Sequence, residues 1–272
     1  MAVQSEDEAR WAREAQFFDR EAEAAMSRIQ PVPPETLKRY GRLRRRRFNK
    51  EFRFRILGDL AGKSVLDVGC GDGINAMNLA MLGARVTGID ISPKAIELAK
   101  KRAAVNGVSA STTFVCSPLE RAEFPERSFD VIWGDAVLHH LIPDLDNVMR
   151  NLVRWAKPGA TVIFGEPMNL SPWLRQLRLM LPVSTDATPD ERPLERSEME
   201  IITRYLPDLE VRHFNLLARL NRFVLPDHNY ERASLPQRAM VNALMAIDYA
   251  VLSMPLLDTL GGTAVLHGHT QR

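Results

Sequence analysis

Asp67 stands two residues ahead of three alternating glycines, Gly69, Gly71 and Gly73, in the run Val65-Leu-Asp-Val-Gly-Cys-Gly-Asp-Gly73. Glycine lacks a Cβ and tolerates positive φ, so at such a turn a ligand lies directly against the main chain. From Ile74 the apolar residues recur at helical spacing, which sets the unpaired N–H groups of a helix start beside that ligand. Gly71, Gly73 and Ala76 also satisfy the dinucleotide pattern G-x-G-x-x-A. Asp67 discriminates between the two readings, because an acid pointing into the turn repels a pyrophosphate and holds an ammonium group. A second acid, Asp90, closes the apolar run 86–89 and is well placed for a ribose diol. The chemistry expected is recognition of a ligand with an ammonium at one end and a ribose in the middle.

The elements that must hold these acids alternate strand and helix from residue 60 onward, as in an α/β, doubly wound sheet. Strands are predicted at 64–68, 85–90, 112–116, 129–134 and 161–165, with a helix over 93–106 that Ser92 caps and Gly107 ends. After Glu166 the clean alternation stops. A short helix is expected at 171–181, a polar loop at 182–193, a helix at 196–205, and further strands at 210–216 and 263–267. The expected division is a helical, basic extension (1–57), a ligand-binding core (58–166), an insertion or lid (167–196), and the end of the core (197–272) interrupted by a helical insertion at about 217–262.

Five pieces of this stretch resemble the class I S-adenosylmethionine-dependent methyltransferases. They are the glycine motif, Gly88-Ile-Asp90-Ile-Ser92-Pro93, Ser128-Phe-Asp130-Val-Ile132, Val137-Leu-His139-His140-Leu141 and Lys157-Pro-Gly159. The likeness covers roughly residues 60–166 and extends to small-molecule enzymes of sugar, antibiotic and quinone biosynthesis. It implies a Rossmann-like, seven-stranded, mostly parallel sheet with an antiparallel last strand. It implies S-adenosylmethionine as cofactor, with S-adenosylhomocysteine as product.

Carried onto matching positions, the resemblance implies that Asp67 and the turn Gly69-Cys70-Gly71 hold the methionine end. Asp90 would bind the ribose hydroxyls, and Ile91 would cover one adenine face. Where the family commonly has an aspartate after the third strand, this chain has Cys116-Ser-Pro-Leu119, so Ser117 or the Leu119 backbone is expected to replace it, with Glu120 as an alternative. Asp135 is a further candidate at the methionine end. His139 and His140 follow the fourth strand, and Glu166 ends the fifth. In similar O-methyltransferases a histidine and an acid here act together as a base, for which His140 is preferred with Glu166 orienting the imidazole. In relatives that methylate carbon, the pair only shapes the pocket. No compact group of acids has metal-ligand spacing, so no metal is expected.

Other features bound the function. Residues 6–29 read as an amphipathic helix through Trp11, Ala15, Phe18, Ala22, Ala25 and Ile29, which either covers the ligand or packs on the sheet. Residues 38–55 carry Arg42, Arg44, Arg45, Arg46, Arg47, Lys50, Arg53 and Arg55 among Leu43, Phe48, Phe52 and Ile56. These suggest a solvated basic face or peripheral contact with an anionic membrane or an acidic substrate; nucleic acid is disfavoured, since no Pro-Pro-Tyr motif follows the fourth strand. The apolar stretch 239–257 contains Asn242, Asp248, Ser253 and Pro255, and is read as a buried or interfacial helix rather than a span, because a bilayer-centred Asp costs about 3 kcal/mol. Across 272 residues there are two cysteines and a net charge of +2, and the acidic start at Glu6, Asp7 and Glu8 does not resemble a signal peptide. A cytoplasmic protein is expected.

The expectation is methyl transfer to a small, apolar acceptor, at a hydroxyl oxygen or alternatively at the carbon of a quinone-like or terpenoid compound. A reading of another class is a basic membrane- or RNA-binding module that holds the cofactor without chemistry. A homodimer is a further candidate assembly.

Overall fold

The computed structural model describes residues 2–40, 48–168, 192–225 and 230–271. Seven strands form one sheet in the order β3-β2-β1-β4-β5-β7-β6. They are β1 (Ser64–Val68), β2 (Arg85–Asp90), β3 (Thr112–Cys116), β4 (Phe129–Asp135), β5 (Ala156–Pro167), β6 (Glu210–Phe214) and β7 (Thr263–His269). Strands β1 to β5 run parallel, whereas β7 is antiparallel to both β5 and β6. The chain reverses direction of travel across the sheet between β1 and β4, and in such sheets the crevice beyond the strand C-termini at that point receives ligands.

Each central strand is apolar on both faces because helices cover both. Leu66, Val68, Ile132 and Phe164 pack on one side with Leu152 and Trp155; Val65, Val131, Trp133 and Ile163 pack on the other with Met77 and Phe54. The former side is covered by α6 (Leu145–Trp155), whose Leu145, Val148, Met149, Leu152 and Trp155 recur at three and four residues, and it includes Ile202 of α7 (Arg196–Tyr205). The other side carries α3 (Asn49–Leu57) and α4 (Ile74–Met81). Helix α5 (Pro93–Val105) starts where Ser92 Oγ accepts the Ala95 N–H at 2.9 Å, the cap expected from the sequence.

Strands β4 and β7 run one and two residues past their expected ends, and β5 and β6 depart for identifiable reasons. β5 begins at Ala156 rather than 161, since Phe129 pairs with Ala156 and a register shift then lets the strand pass through Gly159, at φ 74°. β6 stops at Phe214 because Asn215 turns into the left-handed region at φ 64°. Cys70 and Cys116, both free, follow β1 and end β3, which are separated by β2 rather than adjacent.

One member of the basic run, Arg53, is not solvated. Helix α2 (Pro34–Tyr40) precedes it, Arg42 and Arg44 to Arg47 lie outside the described residues, and α3 buries Glu51, Arg53, Phe54 and Leu57. Arg53 is 2% exposed. Its guanidinium lies 4.4 Å from the Trp133 ring centre and donates to Gly134 O at 3.0 Å and Asp135 Oδ1 at 2.6 Å. Gly165 makes room for it, since a Cβ there would sit 2.8 Å from Arg53 Cζ.

The helix expected at 171–181 and nearly all of the 182–193 loop lie outside the described residues. In the 217–262 connection, α8 (Leu235–Val251) buries Val241, Met245 and Asp248. Asp248 is inside because its carboxylate accepts the N–H groups of Leu216, Leu217 and Ala218 at 2.7–2.9 Å. Among the described residues no helix is long and apolar enough to cross a membrane.

Candidate functional site

Beyond the C-termini of β1, β2 and β4 lies a cavity of about 430 Å³. Its floor is the glycine turn. Gly69, Gly71 and Gly73 have φ of 60°, 49° and 79°, so all three take the conformation that disfavours a side chain. A Cβ at Gly69 would strike Val137 Cγ2 at 2.5 Å, and one at Gly73 would strike Ala99 Cβ at 2.7 Å. A Cβ at Gly71 would meet nothing within 4 Å; that residue is bare toward the cavity rather than toward the protein.

Asp90 holds this turn in shape. Its Oδ2 accepts the Gly71 N–H at 2.8 Å and its Oδ1 the Ser92 N–H at 2.9 Å. Burial nevertheless raises its carboxyl above the ordinary value, those two N–H groups offsetting only part of the effect. Ile91, Ser117 and Leu119 line the wall next to Asp90. Ser117 N–H donates to Asp90 O at 3.0 Å, which ties the third strand's exit to the second's. Glu120 also lines the cavity, and its Oε1 accepts from Arg10 Nη2 at 2.9 Å and Trp11 Nε1 at 3.0 Å, so it anchors the N-terminal helix.

Asp67 lies behind the turn, 1% exposed and not in the cavity lining, and among the described residues neither carboxylate oxygen has a hydrogen-bond partner. Burial, reinforced by Asp135, pushes its carboxyl well up. Asp135 behaves in the opposite way: burial alone would raise it, but Arg53 and Lys50, the latter 3.2 Å away, with Asn75 Nδ2 at 3.1 Å, hold it at about 2. Cys70 faces the protein, where burial, and then Asp67, raise its thiol well above the usual range; it contributes no thiolate.

The histidine pair follows β4 on a short 3-10 turn, Leu138–His140. Glu166, at the end of β5, builds this turn: its Oε1 accepts the N–H groups of Val137 and Leu138, both at 2.9 Å, and its Oε2 lies 2.9 Å from His139 Nδ1. Ala136 at φ 58° turns the chain between strand and histidines. Both imidazoles line the cavity, their ring centres 4.1 Å apart. Glu166 does not line it, and its partner is His139 rather than the expected His140. Its side chain has no exposed surface.

Helix α1 (Ala2–Met26) forms the roof, so of its two expected placements the covering one is found. Glu14, Phe17, Phe18 and Glu21 face the cavity. Asp19 Oδ1 accepts from Ser92 Oγ at 2.6 Å and from the Lys94 N–H at 3.0 Å, and Ala22 packs with Ala95 and Leu98 of α5. Sequence reasoning missed Glu14, Phe18, Lys50, Arg53 and Asn75 as parts of the site. Glu14 carried a signal: it sits three residues after Trp11 and four before Phe18, an acid inside an apolar stripe. Arg53 carried none, since its neighbours are themselves basic and aromatic.

The residues fit a cationic adenosyl ligand on observations independent of any likeness. A buried acid has two unsatisfied oxygens, a main-chain turn is bare on the cavity side, and a second acid stands at the rim one strand away. The raised Asp67 carboxyl adds a pH dependence. Burial lets it keep its proton to higher pH than an ordinary carboxyl, against the partial opposition of Lys50 and Arg53, and an ammonium group favours its ionised form. Binding of S-adenosylhomocysteine is therefore expected to release a proton, with affinity rising as pH increases toward the raised Asp67 midpoint. Calorimetry in buffers of different ionisation enthalpy reads this directly; pH-independent binding without proton release would contradict it.

Residues 66–164 match a family described as a methyltransferase domain. Among curated proteins the chain is similar to the ubiquinone biosynthesis O-methyltransferase of Proteus mirabilis, 37% identical over 107 residues that cover 39% of this chain and 42% of that one. It is similar to the Bordetella parapertussis protein of the same name, 41% identical over 109 residues covering 39% and 44%. The chain thus spans less than half the length of these curated relatives. Among solved structures, an N-methyltransferase from Bradyrhizobium japonicum in complex with S-adenosylhomocysteine has a TM-score of 0.51 at 16% identity, over 94% of this chain and 99% of that one. A protein from Galdieria sulphuraria described as a sarcosine dimethylglycine methyltransferase reaches 0.54 at 15% identity, over 81% and 83%. These last two are likenesses of fold.

Proposed function

On the premise that residues 66–164 belong to the class I S-adenosylmethionine-dependent methyltransferases, we propose that the protein transfers a methyl group to the hydroxyl oxygen of a small, apolar acceptor. The observation that carries this is the continuity of one cavity from the bare turn at Gly69 and Gly71 to the imidazoles of His139 and His140. The curated relatives bear the name O-methyltransferase, which supports oxygen over carbon.

When bound, S-adenosylmethionine supplies a methyl group on a positively charged sulfur. Asp67, behind the turn, would hold the ammonium end, Asp90 would accept from the ribose hydroxyls, and Ile91 and Leu119 would flank the base. Because the positive charge leaves sulfur as the methyl group departs and no new charge is created overall, orientation is the protein's main contribution, worth about 7 to 11 kcal/mol from well-aligned reactants. Val137, Leu141, Phe17 and Phe18 provide apolar walls for an acceptor and exclude water. A hydroxyl acceptor must lose its proton, and an imidazole at the cavity end takes it, contributing about 10² to 10⁴-fold.

The test is incubation with methyl-labelled S-adenosylmethionine and a panel of catechols, hydroquinones and their prenylated forms, following S-adenosylhomocysteine release and the position of the label. Label on oxygen is expected. Label on ring carbon would replace the oxygen reading with the carbon one, and absence of cofactor binding by calorimetry would end both.

A further inference from the structure

We propose that Glu14, carried on α1, is the positioning residue for His140, so that this imidazole acquires its carboxylate partner when the roof helix is docked. The inference rests on the methyl-transfer reading and names the residue that completes that site. Each of the two histidines meets a carboxylate through Nδ1, but the two carboxylates have different origins. His139 is paired with Glu166, which belongs to β5 and is locked by two backbone N–H groups. His140 Nδ1 lies 3.1 Å from Glu14 Oε1, 126 residues earlier in the chain and on an element outside the sheet. Both of those side chains keep 11 to 15% of their surface exposed, toward the cavity they line.

Further contacts hold Glu14 at that distance. Phe18, one turn along α1, packs edge-on against the His140 ring with centroids 5.5 Å apart. Arg10, one turn before, donates to His140 O at 3.5 Å and to Glu120. The contacts of Asp19 with Ser92 and Lys94 secure the far end of the helix. A carboxylate accepts only, so the His140 Nδ1 proton points to Glu14 and Nε2 is left with its lone pair. The acceptor's O–H proton passes to that Nε2. An oxygen lone pair forms the bond to the methyl carbon as the methyl–sulfur bond breaks, and that bond's electron pair stays on sulfur. Glu14 then faces an imidazolium, whose charge it stabilises. Among the described residues, the charged and titratable groups around His140 include Glu14 and Arg10 from α1, Asp90 from the end of β2 and His139 from its own turn, while Glu21 and Glu120 line the same cavity.

The test is nitrogen-15 NMR titration of the histidine side chains in the wild type, Glu14→Gln and Glu14→Asp, with saturating S-adenosylhomocysteine. Glu8→Gln serves as control, since it removes an α1 charge that pairs with Arg121 rather than with a histidine. The His140 midpoint is expected to fall by about one unit in Glu14→Gln, the effect of losing an adjacent opposite charge, and by less in Glu14→Asp. His139 is expected to move less than His140, and Glu8→Gln to leave both in place. An unchanged His140 midpoint in Glu14→Gln, or an equal fall in Glu8→Gln, would overturn the proposal. If Glu14→Gln does not fold, the sign of the Glu14→Asp shift decides. Failure of the wild type to bind S-adenosylhomocysteine would refute the methyl-transfer reading instead, and the pairing is then decided by the same titration of the free protein.

Discussion

Asp90→Ala is expected to weaken S-adenosylhomocysteine binding by about a hundredfold or more, measured by calorimetry against a wild-type control. A ribose contributes two hydroxyl donors, and hydrogen bonds to a charged acceptor are worth about 1.5 to 3 kcal/mol each. The substitution also frees the Gly71 and Ser92 N–H groups that the carboxylate holds at 2.8 and 2.9 Å, so the turn loses its brace as well as its ribose partner. Stability is expected to fall much less than affinity, because the site opens to the cavity and water replaces the carboxylate on both N–H groups. A near-unchanged thermal midpoint with lost binding is therefore the signature. Binding within a few-fold of wild type would mean that Asp90 faces no ribose, and the donor-site reading would fall with it.

Arg53→Met is expected to show the reverse pattern, a loss of about 3 kcal/mol in urea unfolding, in the range for breaking one side of a buried pair. Methionine fills much of the volume over Trp133 but removes the Arg53 donor from Gly134 O and leaves Asp135, among the described residues, with Lys50 and Asn75. The double variant Arg53→Met with Asp135→Asn is expected to recover part of the loss, since the uncompensated charge is gone; a purely additive result would rule out coupling between the pair. Acid has the same sign. Asp135 and, on α7, Glu198, whose carboxylate accepts from the Arg192 guanidinium at 2.9 Å, are both held at about 2, so their contribution is complete above the ordinary carboxylate value near 4 and disappears as pH falls through about 2. Asp67 and Asp90 oppose this, because carboxyls raised by burial favour the folded state when protonated.

The two histidines show where local reading stops. Their place after β4 and the acid at the end of β5 are local matters of strand length, and residue 166 was legible as the acid beside the pair. Which imidazole takes which carboxylate was not legible, because it depends on the turn that Ala136 imposes and on a helix whose Glu14 lies 126 residues before His140. Arg53 is a sharper case. In sequence it belongs to a run of cations, and water is the default solvent for such a run. Only the approach of Trp133, the open side of Gly165 and the carboxylate of Asp135 make the interior an acceptable place for it.

By itself the amino-acid sequence determined the alternation of strands and helices, the turn over residues 69–73, and the two acids on either side of it. These are properties of neighbours in the chain: apolar periodicity, glycine's access to positive φ, and the cap at Ser92 act over a few residues and leave a readable spacing. The tertiary structure alone decided the roof formed by α1, the burial of Arg53 and the division of carboxylates between His139 and His140. Each of these joins groups far apart in sequence, and the free energy that selects them comes from shape and charge meeting in space, for which local pattern carries no record.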